Sequence, residues 1–375
     1  MDWERHSARH LRRFDGKVIA LEIRGIGLSS GLSSNLDLLR AIAVLLVLAQ
    51  HLTRRVSLDR IGWIPTSCLG LFGVLLFFVH TCLVLMYSME RSGLTGRRLF
   101  ASFHIRRIFR IYPLSILAGA VALALHVTSD VNGIRGLSVA SLGGKREIIA
   151  NFLLIQNLAQ VKSIINVLWS LPFELQMYLF LPFIFLWIRG RRRFWALIAL
   201  WTASVLAALA QPHIPALGML SILLFVPNFL PGVIAYSLPH VPRIKSHFWP
   251  VLILSLVAIF TLRPTLQVGW ILCLALGLSI PWFAEIRTPW LRTVSNRIAT
   301  YSYGIYLSHQ FSIWFALGVL APYSLWLRIP VLVSLLIALP VVLYHAIERP
   351  MIQVGIRLAN RWSEPNMEQA EAVAA

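Results

Sequence analysis

Negative charge is scarce in this chain. Only 15 of its 375 residues are Asp or Glu, and charged residues of both signs make up 13%, where soluble domains carry about 25%. That shortage excludes an ordinary water-soluble globular protein. Cysteine is scarce as well: Cys68, Cys82 and Cys273 each sit in or beside an apolar run, without metal-ligand spacing. A disulfide framework and a zinc site are therefore not expected, and no metal is assigned. The net charge is +19, with 34 Lys and Arg, yet zinc-finger, helix-turn-helix and RNA-recognition signatures are missing, so no nucleic-acid partner is assigned. Residues 1–34 are Arg-rich but lack the apolar core and small-residue cleavage site of a secretory signal. They read as a basic tail. No internal repeat is visible, and no stretch between apolar runs is long enough for a separate soluble domain.

Hydrophobicity is what the chain has in quantity: 58% of its residues are apolar and the mean hydropathy is +0.73. Segments of membrane-crossing length fall at about 36–54, 65–88, 111–127, 166–188, 194–210, 217–237, 248–262, 267–284, 300–320 and 327–347. The expected fold is an all-α polytopic membrane protein, a bundle of about ten transmembrane helices embedded in a lipid bilayer. An even count puts both termini on one side. With that side cytoplasmic, 24 basic residues fall in cytoplasmic segments and 9 in the opposite ones, which makes both termini cytoplasmic. The domain reading is a basic cytoplasmic tail at 1–34, a transmembrane domain at 35–350 and a cytoplasmic C-terminal tail at 351–375. The longest outward connection, about 129–165, contains an apolar piece at 148–158 too short to span, expected at the interface or re-entering. The basic run Arg189 to Arg193 reads as a topology signal.

Ionisable side chains inside the spans are the candidates for chemistry. Arg40 and His51 share the first span. Eleven residues make about three helical turns, so both project from one face, roughly 16 Å apart along the axis. An intramembrane arginine costs at least about 2.5–3.5 kcal/mol on insertion scales. Snorkelling of both groups to the interfaces is one account; the other makes His51 a general base with Arg40 as its charge partner. Glu174 lies in VLWSLPFELQ, shortly after Trp169 and Ser170. A lone carboxylate among Phe, Leu and Pro needs a partner. The orientation puts Glu174 at the depth of His51, so a Glu174–His51 pair is expected.

Arg106, Arg107 and Arg110 stand in HIRRIFRIYP, ahead of the third span. Arg107 and Arg110 are one turn apart and suited to clamping a phosphate, although topology alone also puts arginines there. His309 lies in YSYGIYLSHQ with Tyr303, Tyr306 and Ser308 beside it, a polar patch that reads as cavity lining. His80, in LFFVHTC, reads either as lining or as a core histidine. Glu348 and Arg349, before Pro350, read as a stop signal closing the last span.

In this order the segments resemble the acyltransferase 3 family of membrane O-acyltransferases, over about 35–350. The landmarks are Arg40 and His51; Arg107 and Arg110 followed by Ile-Tyr-Pro; Trp169-Ser170-Leu171 with Glu174; Ser302 to His309; and Glu348 with Pro350. The resemblance implies transfer of an acyl group, most often acetyl, from a cytoplasmic acyl-coenzyme A. The acceptor would be a hydroxyl of a surface, secreted or lipid-linked carbohydrate. It implies His51, Glu174 and Arg40 as catalytic residues, and Arg107, Arg110 and Arg106 as holders of the coenzyme A phosphates. His309 and Tyr306 would line the acceptor path, with Trp169, Ser170, Tyr178 and His80 assigned to substrate binding. A bacterial inner (plasma) membrane is the implied location. The second helix departs from the family's Phe-Leu-Ser-Gly-like pattern, reading Phe77-Phe78-Val79-His80-Thr81-Cys82, which puts the chain in a divergent branch. A transporter or flippase of a glycan or lipid could use the same polar residues; the paired repeats common in transporters are not visible. The sequence sets no oligomeric state.

Overall fold

The computed structural model describes residues 33–127, 144–190 and 193–362. The expected N-terminal tail up to residue 32, part of the long connection at 128–143, Arg191 and Arg192, and residues 363–375 lie outside the described residues.

Helices dominate, as a chain with little water to satisfy its backbone requires. In order they are α1 (Ser34–Arg55), α2 (Leu69–Ser92), α3 (Gly96–Ala124), α4 (Lys145–Phe152), α5 (Leu171–Ile188), α6 (Phe194–Ala210), α7 (Val226–Ser237), α8 (Phe248–Leu262), α9 (Leu266–Ser279), α10 (Pro289–Trp314), α11 (Leu325–Leu343) and α12 (Arg349–Arg361). A two-stranded antiparallel ribbon, β1 (Arg60–Ile61) with β2 (Ile64–Pro65), joins α1 to α2. Among the described residues six helical stretches are long and apolar enough to cross a membrane: Ser34–Arg55, Thr66–Ser92, Gly96–Ala124, Asn166–Ile188, Phe194–His213 and Leu325–Arg361. The chain is an all-α membrane protein.

Several boundaries differ from those read in the sequence. The third helix begins at Gly96 rather than near 111, so Arg106, Arg107 and Arg110 lie within it instead of ahead of it. The segment expected to span at 217–237 is a pair of short 3₁₀ turns leading into the 12-residue α7. Residues 351–361, expected as the start of a tail, continue as α12, which packs on α3: Gly355 sits against Phe109, and Arg106 Nη2 donates to Asn360 Oδ1 at 3.1 Å. The 148–158 piece is the end of α4 and the turns after it. Asn151 pins them by donating to Lys162 O at 2.8 Å and accepting from Ile164 N at 2.9 Å.

α2 is the most enclosed of the six membrane-length stretches. Its neighbours come close because glycines remove the Cβ. A Cβ on Gly232 of α7 would overlap the Val79 carbonyl, and one on Gly73 would meet Ala43 O of α1 at 2.5 Å. Small residues at crossings are how membrane helices gain packing without a hydrophobic driving force between them.

α1 is fixed at its start by Asn35. Its side chain donates to Ala284 O and accepts from Ile286 N, and its carbonyl accepts from Trp249 Nε1 at 2.9 Å. At the other end, Arg55 and Arg328 both donate to Leu317 O, at 3.0 and 3.2 Å. That carbonyl belongs to a π-helical turn, Phe315–Val319, which closes α10. The two ties hold α1 alongside α10, where the buried face carries Ser302, Tyr306, Ser308, His309, Gln310 and Ser312.

Candidate active site

Ser302 and Tyr306 of the buried polar face of α10, with Tyr303, look onto a central cavity of about 570 Å³, whereas Ser308, His309, Gln310 and Ser312 are not among its lining side chains. α1 contributes Arg40, α2 Thr81, α3 Arg110, α5 Glu174 and Tyr178, and α10 Ser302, Tyr303 and Tyr306, while Ser170 comes from the 3₁₀ turn ahead of α5. Arg40 Nε is buried there without a hydrogen-bond partner among the described residues. A buried guanidinium N–H left open costs more than it returns unless something binds to it. Glu174 accepts a hydrogen bond from Tyr178 Oη one turn along α5, and it lies within electrostatic reach of Arg40, Arg110 and Arg107.

Hydrogen-bond direction settles what Ser170 can do. Tyr306 Oη lies 2.8 Å from Val167 O and 2.7 Å from Ser170 Oγ. A carbonyl only accepts, so the phenol donates to Val167 and accepts from Ser170. The serine hydrogen is spent on a phenol rather than a base, which is not the arrangement of an activated nucleophile. Tyr303 Oη likewise donates to Ile111 O at 2.7 Å, tying α10 to α3.

Glu348 is the group the sequence reading missed. Taken there as a stop signal, it is 1% exposed and pairs with Arg110, Oε1 to Nη2 at 3.4 Å. It reaches α3 because Tyr344–Glu348 forms a π-helical turn between α11 and α12, which re-aims the side chain. A carboxylate at the end of an apolar run beside Arg349 looks like an interface marker. The pattern alone carries no sign of a partner 238 positions earlier on α3.

A second cavity, about 270 Å³, opens where the end of α2 meets α3. Ser88, Ser92, Ser102, Arg106 and Arg107 line it, and the Nε atoms of both arginines are buried without hydrogen-bond partners among the described residues. Phe103 of this cavity meets Tyr178 of the central one edge to face, ring centres 5.9 Å apart. Arg107 and Arg110, expected as one clamp, are thus divided between the two cavities.

The two histidines form a third group. His51 of α1 faces His309 of α10 with ring centres 5.1 Å apart, and Tyr306 lies 6.4 Å from His309. The expected Glu174–His51 pair is not formed. Asn166–Ser170 is a 3₁₀ turn and α5 starts only at Leu171. Glu174 is thereby set beside Arg40 rather than His51. His80 is buried on α2, within electrostatic reach of Arg40 and Arg110 but outside the side chains that line the central cavity. Trp169 packs against Phe173 and Phe225 and lines neither cavity.

The acyltransferase 3 family model, an acyltransferase domain, matches residues 33–345. The chain belongs to the acyltransferase 3 family. No curated protein and no solved structure matches it. The matched region of this membrane acyltransferase spans α1 to the start of the π-helical turn that carries Glu348, so it takes in the central cavity, the basic cavity and the histidine pair.

Proposed function

We propose that the protein is an integral membrane O-acyltransferase. It moves an acyl group, acetyl in the simplest case, from cytoplasmic acyl-coenzyme A to a hydroxyl of a surface, secreted or lipid-linked carbohydrate, in a bacterial inner membrane. The observation that carries this reading is a set of three polar sites inside an acyltransferase: two arginines with open Nε–H groups, a central cavity with Arg40 and Glu174, and two facing imidazoles.

In this reading Arg106 and Arg107 hold coenzyme A phosphates, for which open N–H groups beside three serine hydroxyls are suitable partners. The orientation expected from charge puts this cavity toward the cytoplasm. The thioester arm runs past Tyr178 into the central cavity, where Arg110 is held by Glu348 and Arg40 positions the donor by offering its free N–H to a carbonyl of that arm. Glu174, fixed by Tyr178, balances these guanidinium groups. His51 takes the proton of the acceptor hydroxyl as its oxygen attacks the thioester carbonyl, and the departing thiolate takes that proton back.

The test uses full-length protein in lipid nanodiscs with labelled acetyl-coenzyme A and methyl glycosides as acceptors. Labelled ester should form, and His51→Ala should slow it by about 100-fold or more. Ester formation at the wild-type rate in His51→Ala would remove the base from this scheme.

A further inference from the structure

His309 has its tautomer set by its own helix. Nδ1 lies 2.9 Å from Ile305 O, and because a carbonyl can only accept, Nδ1 carries the hydrogen and Nε2 is a bare lone pair. That Nε2 is buried and has no hydrogen-bond partner among the described residues. A buried acceptor of this kind is costly unless a donor is supplied. The ring facing it is His51, at 5.1 Å between centres and tilted by 44°. At that separation two imidazoles are within reach of one shared N–H···N bond after a small rotation of either ring.

Exposure separates their roles. His309 is 1% exposed, while His51 is only partly buried. A substrate hydroxyl can therefore reach His51 and not His309. The carboxylate that would orient a catalytic imidazole elsewhere, Glu174, is bonded to Tyr178 at the central cavity.

We propose that His309 is the positioning residue for His51. This rests on the reading of the chain as an O-acyltransferase. Nε2 of His309 accepts the single N–H of neutral His51, which leaves the other His51 nitrogen as a lone pair directed at the acceptor hydroxyl. In the reaction the acceptor O–H bond breaks and its proton goes to that nitrogen while the oxygen bonds to the thioester carbonyl carbon. His51 is then doubly protonated, with one N–H still held by His309. The C–S bond breaks, and the thiolate leaves as thiol with the same proton. A neutral acceptor suits this position, since a second buried carboxylate would need its own compensation in an apolar interior.

The experiment combines a spectrum with kinetics. Nitrogen NMR of full-length, histidine-labelled protein in nanodiscs should show His309 as the Nδ1–H tautomer and His51 as one neutral tautomer rather than a mixture. With acetyl-coenzyme A and methyl glycosides, His309→Leu should lower kcat by about 100-fold and leave KM for acetyl-coenzyme A within about twofold. His309→Gln, whose amide oxygen can accept from His51, should recover about 10-fold of that loss. His51 should become a tautomer mixture in His309→Leu and not in His309→Gln. Three results overturn the proposal: a mixed His51 tautomer in the wild type, Nε2 protonated in His309, or kcat in His309→Leu within threefold of wild type. The wild-type spectrum needs no variant, so a His309→Leu protein that fails to fold does not remove the test. Absence of acetyl transfer by the wild type would instead sink the O-acyltransferase reading, and the tautomer result would stand apart from it.

Discussion

A single side chain in this membrane interior is decided by who accepts and who donates. Ser170 sits beside Trp169 and Glu174, where a reactive hydroxyl would be plausible from sequence, yet its hydrogen goes to Tyr306. Ser170→Ala should therefore change acetyl transfer by no more than about threefold, well short of the loss expected for a covalent nucleophile, and mass spectrometry of the working enzyme should find no acyl group on Ser170. Glu348 behaves in the opposite way. Its carboxylate is fully buried against an Arg110 that keeps 26% side-chain exposure. Removing Glu348 takes away the carboxylate paired with Arg110 and leaves buried space behind, while Glu174 and partial exposure still offset the guanidinium, so Glu348→Ala should cost about 1–3 kcal/mol. The double variant Arg110→Met, Glu348→Leu should recover most of that stability while remaining inactive, as read by thermal unfolding in detergent alongside acetyl transfer. Residue types in the site were legible from the sequence, because a charge in an apolar run announces itself. Their partners were not, because partners lie on other helices.

At the scale of elements the irregular turns matter most. The π-helical turn Tyr344–Glu348 aims Glu348 at α3. Deleting Ala346 would remove the extra residue and restore α-helical register, rotating Glu348 by about 100°. Acetyl transfer should be lost while the circular dichroism helix signal stays unchanged; retained activity would show that the turn does not set the site. Glycine crossings are a second device. Gly232→Ala puts a methyl group into the Val79 carbonyl of α2, where backbone rather than a flexible side chain must give way. Overpacking of this kind costs about 1–3 kcal/mol, so unfolding temperature should fall clearly, whereas Gly93→Ala, with nothing within 4 Å, should be affected only through its backbone angle of +65°. Hydropathy found these helices but misplaced their ends. The start of α3 at Gly96 escapes hydropathy because its first turns carry polar and basic residues, which are silent in a search for apolar runs.

At the scale of the whole molecule, the distribution of basic residues carries a proposed orientation. Both termini are expected in the cytoplasm, which puts the β1–β2 ribbon on the outer side. The native cysteines Cys68, Cys82 and Cys273 are buried, so a cysteine placed at exposed Ser57 becomes the reactive one. In intact cells Ser57→Cys should label with a membrane-impermeant maleimide, and a reporter fused at either terminus should be cytoplasmic. Failure to label until the cells are opened would reverse the orientation and, with it, the side from which acyl-coenzyme A enters.

Class, family and the choice of most polar candidate residues were determined by the sequence, since hydropathy, helical period and the order of short motifs are local properties of a chain. Tertiary structure decided which residues meet: Glu174 with Tyr178 near Arg40, His51 with His309, and Glu348 with Arg110. The reason is axial offset. Periodicity tells which face of a helix a side chain occupies, but how deep it sits depends on where its helix begins relative to its neighbours. Here that is set by the 3₁₀ turn before α5, the early start of α3 and the two π-helical turns.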